Sequence, residues 1–166
     1  MEDITIIDDF LTKDEMTFVD NFFDRDVKWA YGHKTDLSTK IKWFVCSLKE
    51  NPFFTDYLLS KINKLTKYEW SFENVYANGQ TMLLDGGWHK DRTADMTAIL
   101  YVSDITPQNI KNVNGYLNYK INNEIKSIEP YKNRLVIFNS DVVHRGLAPN
   151  DPGVFRISIA WKLKNK

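Results

Sequence analysis

Residues 155–163, FRISIAWKL, alternate without a break. Phe155, Ile157, Ile159, Trp161 and Leu163 fall on one side, and Arg156, Ser158, Ala160 and Lys162 on the other. A period of two is the mark of a strand, because successive side chains leave it in opposite directions. Working back toward the N-terminus, more short β-rich runs follow: RLVIFN (134–139), EIKSIE (124–129), GYLNYKI (115–121), DMTAILYVS (95–103), QTMLL (80–84) and SFENVYA (71–77). Turn-rich pieces such as APNDPG, EPYKN, INNE, PQNIKNVNG and DGG separate them.

The first 69 residues read differently. TKDEMTFVDNFFD (12–24) predicts a helix, with Thr12 as cap, Glu15 completing a capping box, and Met16, Val19, Phe22 and Phe23 on one face. A second helix is expected from Pro52 to about Lys67, started by Asn51-Pro52 and striped by Leu58, Leu59, Ile62 and Leu65. ITIID (4–8) reads as a short strand, and residues 24–50 as a strand, a polar loop and another strand. Helices followed by many short strands predict an α+β, mainly β chain. The expected architecture is an antiparallel sandwich or jelly roll with the helices packed on one side. One domain is expected over 1–166, with helical support over about 1–69 and the jelly-roll core over about 70–163.

Composition narrows the function classes. Apolar residues make up 43% and charged residues 27%, the balance of a soluble globular protein. Lys plus Arg and Asp plus Glu are both 22, so the formal net charge is zero and a nucleic-acid partner is not expected. The lone Cys46 cannot form an internal disulfide and is most simply a buried strand residue. MEDITIIDDFL has no signal-peptide pattern, and no apolar run approaches the ~20 residues that span a bilayer. No membrane association and a cytoplasmic location are expected; oligomeric state is not readable.

Chemistry is suggested by GGWHKDRTAD (86–95). If WHKD is a strand, His89 and Asp91 point to the same side and can bind one divalent ion from adjacent corners. Two ligands do not hold a metal tightly in water, so a third must come from elsewhere. His33 lies in the N-terminal region and is read as a loop residue. His144, in FNSDVVHRG just after an apolar strand, is the better partner. His89, Asp91 and His144 would form the two-histidine, one-carboxylate set used by non-haem Fe(II). Arg156 and Ser158 project together on the last long strand, and a guanidinium beside a hydroxyl suits a carboxylate. A ligand that chelates metal at one end and carries a carboxylate at the other, such as 2-oxoglutarate, fits both halves. Taken singly each feature is weak: His-x-Asp recurs by chance, and Arg-x-Ser is commonly a solvated strand face. Order and spacing together carry the reading.

The stretch WHKD … TAILYVSD … SIEPYKNRLVIFNSDVVHRGLAPNDPGVFRISIAW resembles the catalytic core of Fe(II)- and 2-oxoglutarate-dependent oxygenases, most closely the prolyl 4-hydroxylase-like group. The resemblance covers roughly residues 70 to 163 and implies a double-stranded β-helix (jelly roll) core with supporting N-terminal helices. It implies iron ligands at His89, Asp91 and His144, with Arg156, Ser158 and Tyr101 binding the distal carboxylate of 2-oxoglutarate. The implied activity is hydroxylation, with O2 as co-substrate and succinate and CO2 as products, and ascorbate as a candidate auxiliary. A prolyl residue of a peptide or protein is the first expected substrate. A free amino acid or other small metabolite is the second, and a non-catalytic metal-binding jelly roll the third. Collagen-type enzymes usually carry lysine where this chain has Arg156, so it sides with other branches. The family's Gly-Gly-x-Thr-like stretch survives only as Gly115, and Tyr76 stands further from the His-x-Asp than the family's tyrosine often does. Asp91 argues against the related halogenases, which lack that carboxylate. Trp88 either shields the metal or packs, Lys90 and Arg92 are expected to be solvated, and loops within 24–50 and 104–114 are expected to shape the entrance.

Overall fold

The N-terminal capping box forms as its residue types dictate. In the computed structural model, which describes residues 4–25, 27–36 and 38–166, Thr12 Oγ1 accepts from Glu15 N at 3.3 Å and Glu15 returns a carboxylate oxygen to Thr12 N at 2.7 Å. Helix α1 (Lys13–Arg25) follows. The second helical segment begins with Asn51 Oδ1 accepting from Phe53 N at 3.0 Å. It runs as one π-type turn, Phe53–Tyr57, into α2 (Leu58–Thr66), and Lys67 ends it in the left-handed region at φ 57°. Leu58, Leu59 and Ile62 are buried as the stripe predicts; Leu65 is 48% exposed and does not belong to it.

Glu15 also ties the two helical segments together. It accepts from Lys61 at 2.6 Å and from the Tyr57 hydroxyl at 2.5 Å. Burial opposes its ionisation, but the hydrogen bonds from Lys61, Tyr57 and Thr12 outweigh it and lower its pKa from 4.5 to about 2. A depressed folded-state pKa means that this stabilisation is present above the unfolded value and is lost as pH falls toward about 2. Glu15→Gln should therefore lower stability by about 1 kcal/mol at neutral pH. The gap to the parent protein should narrow as pH falls below about 5. Urea titrations of both proteins at pH 7 and pH 3 test this, and an equal gap at both would show that the charge is not the stabilising element.

The strands are β1 (Ile4–Ile7), β2 (Ala30–His33), β3 (Trp43–Ser47), β4 (Trp70–Gln80), β5 (Met96–Tyr101), β6 (Leu117–Ile121), β7 (Glu124–Ile128), β8 (Leu135–Asn139), β9 (Val143–Gly146) and β10 (Arg156–Asn165). A short helical turn, α3 (Ile110–Val113), lies in the expected 104–114 loop. Seven strands form one antiparallel sheet in the order β1-β8-β5-β10-β4-β3-β2, and three form the other in the order β7-β6-β9. This is the predicted mainly β jelly roll. The strand–loop–strand reading of 24–50 holds for β2 and β3; Asp26 and Leu37 within it, and residues 1–3, lie outside the described residues.

The alternation of β10 assigns its two sides to two different interiors. Ile159, Trp161 and Leu163 join Val75, Ala77, Ala98 and Leu100 in the layer that packs on the helices, where Trp161 Nε1 donates to Phe54 O at 3.0 Å. The other side of the large sheet faces the small one across Ile99, Tyr101, Leu117, Ile128, Val136 and Phe138. Both sides of β10 are thus covered, and the side carrying Arg156 is interior rather than solvated.

Two strand assignments change. QTMLL is not a separate strand: β4 continues to Gln80, and residues 81–84 turn, with Leu84 N bonded to Thr81 O and Leu83 at φ 74°. His144 follows the apolar strand β8, as expected, and itself sits within a further strand, β9, which is too short for periodicity to reveal.

Candidate active site

β9 is the scaffold for the histidine pair. His89 and His144 exchange backbone hydrogen bonds, His89 N to His144 O at 3.0 Å and His144 N to His89 O at 2.9 Å. Asp91 N donates to Ser140 O at 3.0 Å. WHKD is therefore not a strand. It makes one isolated bridge, at His89, and the shared direction of His89 and Asp91 comes from a loop pinned at residues 144 and 140. Each imidazole Nδ1 faces a carbonyl, His89 that of Gly87 and His144 that of Val142, both at 2.9 Å. A proton on Nδ1 satisfies those carbonyls and leaves each Nε2 as a lone-pair donor, the arrangement that orients metal-binding histidines. Asp91 Oδ1 lies 3.6 Å from His89 Nε2, and Asp91 Oδ2 lies 3.5 Å from His144 Nε2. One ligand atom from each of the three residues falls within 4.8 Å of the others. Burial, with His89 adding to it, pushes the His144 pKa down to about 4, so its ring is neutral at physiological pH.

Asp91 is held ionised. Burial opposes this, but Lys162 and His144 beside it, together with hydrogen bonds from Lys162 and Thr97, keep its carboxyl below the usual range. Thr97 Oγ1 donates to Oδ2 at 2.6 Å, and Lys162 Nζ donates to the same oxygen. Two imidazole nitrogens and a carboxylate, with one side turned to a cavity, suit a non-haem Fe(II) ion.

Along the same side of β10, Arg156 is 2% exposed and Ser158 4%. Arg156 Nη1 donates to Gln80 Oε1 at 2.6 Å, and Gln80 Nε2 passes the chain on to Leu84 O at 2.6 Å. The guanidinium carbon lies 5.1 Å from the centre of the Tyr101 ring. Arg156 Nε and the Tyr101 hydroxyl are both buried without a hydrogen-bond partner among the described residues. Buried polar groups are normally satisfied, and a carboxylate would satisfy these two at once. Burial pushes the Arg156 pKa down and that of Tyr101 up. Gly115, at φ +88°, makes room: a Cβ there would sit 2.9 Å from Arg156 Cδ.

One cavity of about 280 Å³ joins the two halves, with His89, Asp91 and His144 in its lining along with Arg156, Ser158 and Tyr101. His33 is not a ligand and not a loop residue; it ends β2 and packs its ring 5.3 Å from Trp43 and 5.6 Å from Tyr76 as part of the wall. Tyr76 lines the same cavity. Trp88 packs rather than shields, held between Lys120 and Arg145, each 4.6 Å from its ring. Lys90 and Arg92 are exposed at the rim, as expected, and Cys46 is buried in β3. Gln80, Thr97 and Lys162 are the site residues that sequence reasoning missed. Gln80 shares the alternation Tyr76, Asn78, Gln80 with the strand that ends there, a signal hidden when QTMLL is read as a strand of its own.

No protein-family model and no curated protein matches the sequence. Solved structures match the fold. An oxidoreductase of the 2OG-Fe(II) oxygenase family from Burkholderia pseudomallei aligns with a TM-score of 0.77 at 8% identity, over 98% of this chain and 85% of its own. The fold is that of the 2OG-Fe(II) oxygenases. A prolyl hydroxylase from Trichoplax adhaerens, in complex with a hypoxia-inducible-factor oxygen-degradation-domain peptide fragment, shares this oxygenase fold with a TM-score of 0.74 at 18% identity, over 99% of this chain and 84% of its own. A prolyl-4-hydroxylase from Pseudomonas putida shares it with a TM-score of 0.65 at 19% identity, over 96% and 92%. Among the described residues no helix is long and apolar enough to cross a membrane.

Proposed function

We propose that this chain is an Fe(II)- and 2-oxoglutarate-dependent dioxygenase, organised as one catalytic domain, that hydroxylates a prolyl residue of a peptide or protein. The reading rests on one juxtaposition: a two-histidine, one-carboxylate set and a buried guanidinium with an unpartnered donor face the same cavity. His89, Asp91 and His144 would hold Fe(II). Arg156, Ser158 and Tyr101 would hold the distal carboxylate of 2-oxoglutarate. When bound, the metal and 2-oxoglutarate supply the oxidising power: one C–H becomes C–OH while 2-oxoglutarate and O2 yield succinate and CO2. The chain's own part is placement. The Gly87 and Val142 carbonyls fix the imidazole tautomers, Thr97 and Lys162 fix the Asp91 carboxylate, and Gln80 fixes the Arg156 fork. Covered by the two sheets, the Arg156 end excludes water, which strengthens the charge pairing there.

One neighbour, the Trichoplax prolyl hydroxylase, is in complex with a peptide fragment, which supports the peptidyl substrate. A second reading, hydroxylation of a free amino acid or small metabolite, draws on the cavity: its volume of about 280 Å³ would be shared with 2-oxoglutarate, which leaves room for a small substrate. The test is an anaerobic titration of metal-free protein with Fe(II) and then 2-oxoglutarate, watching the visible charge-transfer band. The band should appear only when both are present. Its absence from well-folded protein would overturn the oxygenase reading.

A further inference from the structure

The cavity is far more positive than the chain. The sequence balances 22 basic against 22 acidic residues, yet Lys34, Lys90, Arg92, Arg156 and Lys162 line the cavity against one carboxylate, Asp91. Lys90 has an external partner, Asp141, at 3.4 Å, and Lys34 has an interaction of its own, so neither counts toward the surplus. The proposed cofactors use up only part of the remainder. Fe(II) at +2 and Arg156 at +1 offset Asp91 at −1 and 2-oxoglutarate at −2, a sum of zero. Lys162 and Arg92 are then left over on the metal side.

Position sharpens this. Lys162 lies six residues from Arg156 on the same side of β10, about 20 Å along the strand at roughly 3.3 Å per residue. The guanidinium closes one end of the cavity, and the ammonium stands at the other, against Asp91. Its side chain is only 11% exposed, and its charge lies 5.9 Å from the Tyr76 ring. Holding a cation in a part-buried place is costly unless anions face it, and Asp91 would be shared with the metal. Arg92, one residue past Asp91, stands exposed at the rim above it.

We propose that the primary substrate carries a carboxylate, received by Lys162 and Arg92 on the metal side of the cavity, opposite the Arg156 end. This rests on the oxygenase reading for its direction and on the lining charges for its chemistry. Tyr76, His33 and Trp43 form the wall beside Lys162 and would take the apolar part of the same molecule. The carboxylate comes either from a free carboxylic or amino acid or from an acidic side chain in a peptide.

Two pairs of probes separate these sources: acetyl-glycine against acetyl-glycinamide, and a blocked tripeptide with a central aspartate against its asparagine counterpart. Amide NMR shifts of the 15N-labelled whole chain report where each binds, with Zn(II) and 2-oxoglutarate present so that Asp91 and Arg156 are already engaged. The carboxylate member of at least one pair should perturb the amides around Arg92 and Lys162. It should bind at least about tenfold more tightly than its amide and weaken as salt rises from about 0.05 to 0.5 M. In Arg92→Gln the carboxylate-to-amide ratio should collapse toward one. Preference within the first pair assigns a free acid, and within the second an acidic peptide. Equal binding of acid and amide, shifts confined to the neighbourhood of Arg156, or a ratio unchanged in Arg92→Gln would overturn the proposal. Should no Fe(II)–2-oxoglutarate band form while the carboxylate probe still marks Arg92 and Lys162, the oxygenase reading falls and the anion site stands.

Discussion

His144→Ala should bind Fe(II) at least ~100-fold more weakly than the parent protein, more than the 10- to 100-fold typical of losing an outer-shell partner, and should form no charge-transfer band with 2-oxoglutarate. Only His89 and Asp91 would remain, and two ligands do not hold a divalent ion in water. The backbone bridge to His89 is independent of the side chain, so the loop that aims His89 and Asp91 should persist. The imidazole is, however, buried, packed 4.7 Å from the Phe138 ring and 4.3 Å from that of His89. Alanine therefore opens a cavity as well as removing a ligand. His144→Leu separates the two effects, because it refills the space without offering a donor atom. The leucine variant should recover most of the lost thermal stability and none of the band. A band of parental strength in either variant would remove His144 from the metal site.

How much of this was legible in the sequence follows from which signals are periodic. The alternation of FRISIAWKL correctly paired Arg156 with Ser158 and Ile159 with Trp161, because a strand interior has no other way to arrange them. The Thr12–Glu15 box was legible because both partners of its hydrogen bonds lie within one turn. His89 and Asp91 were found for a partly wrong reason. Both turn toward His144, but through a loop bonded to residues 140 and 144 rather than through strand alternation. Gln80, Thr97 and Lys162 were not legible as site residues, since their roles depend on register. Lys162 opposes Thr97 across the β10–β5 pair, and Arg156 opposes Gln80 across β10–β4. That register brings two donors onto one oxygen of Asp91 and an acceptor onto Arg156. No local pattern states which residues of distant strands will stand opposite one another. The burial of the Arg156 side was equally hidden, because alternation separates two sides without saying that a second sheet covers the polar one.

Arg156→Met should raise the 2-oxoglutarate concentration needed for half-maximal band formation by at least ~100-fold, the lower part of the range for truncating one partner of a buried charge pair. The same change should stabilise the ligand-free protein. Arg156 holds its charge almost out of solvent, and among the described residues no carboxylate lies within ion-pair distance of it. Its compensation is one hydrogen bond to Gln80, the face of Tyr101 and the more distant charge of Asp85. Methionine keeps most of the volume and removes the desolvation cost of the ion, several kcal/mol, at the expense of an unpaired Gln80 oxygen at about 1–3 kcal/mol. The sum favours the variant by about 1 kcal/mol, visible as a higher melting temperature without ligand. With metal present in both proteins, adding 2-oxoglutarate should reverse the order. The parent protein gains about 2.7 kcal/mol at a hundred times its dissociation constant, and the variant gains almost nothing at that concentration. Melting curves of both proteins, with and without ligand, decide the matter. Equal ligand-induced shifts would show that the buried guanidinium is not the carboxylate receptor. A variant that is less stable even without ligand would show instead that Arg156 acts as a structural cross-brace through Gln80 and the turn at Leu84.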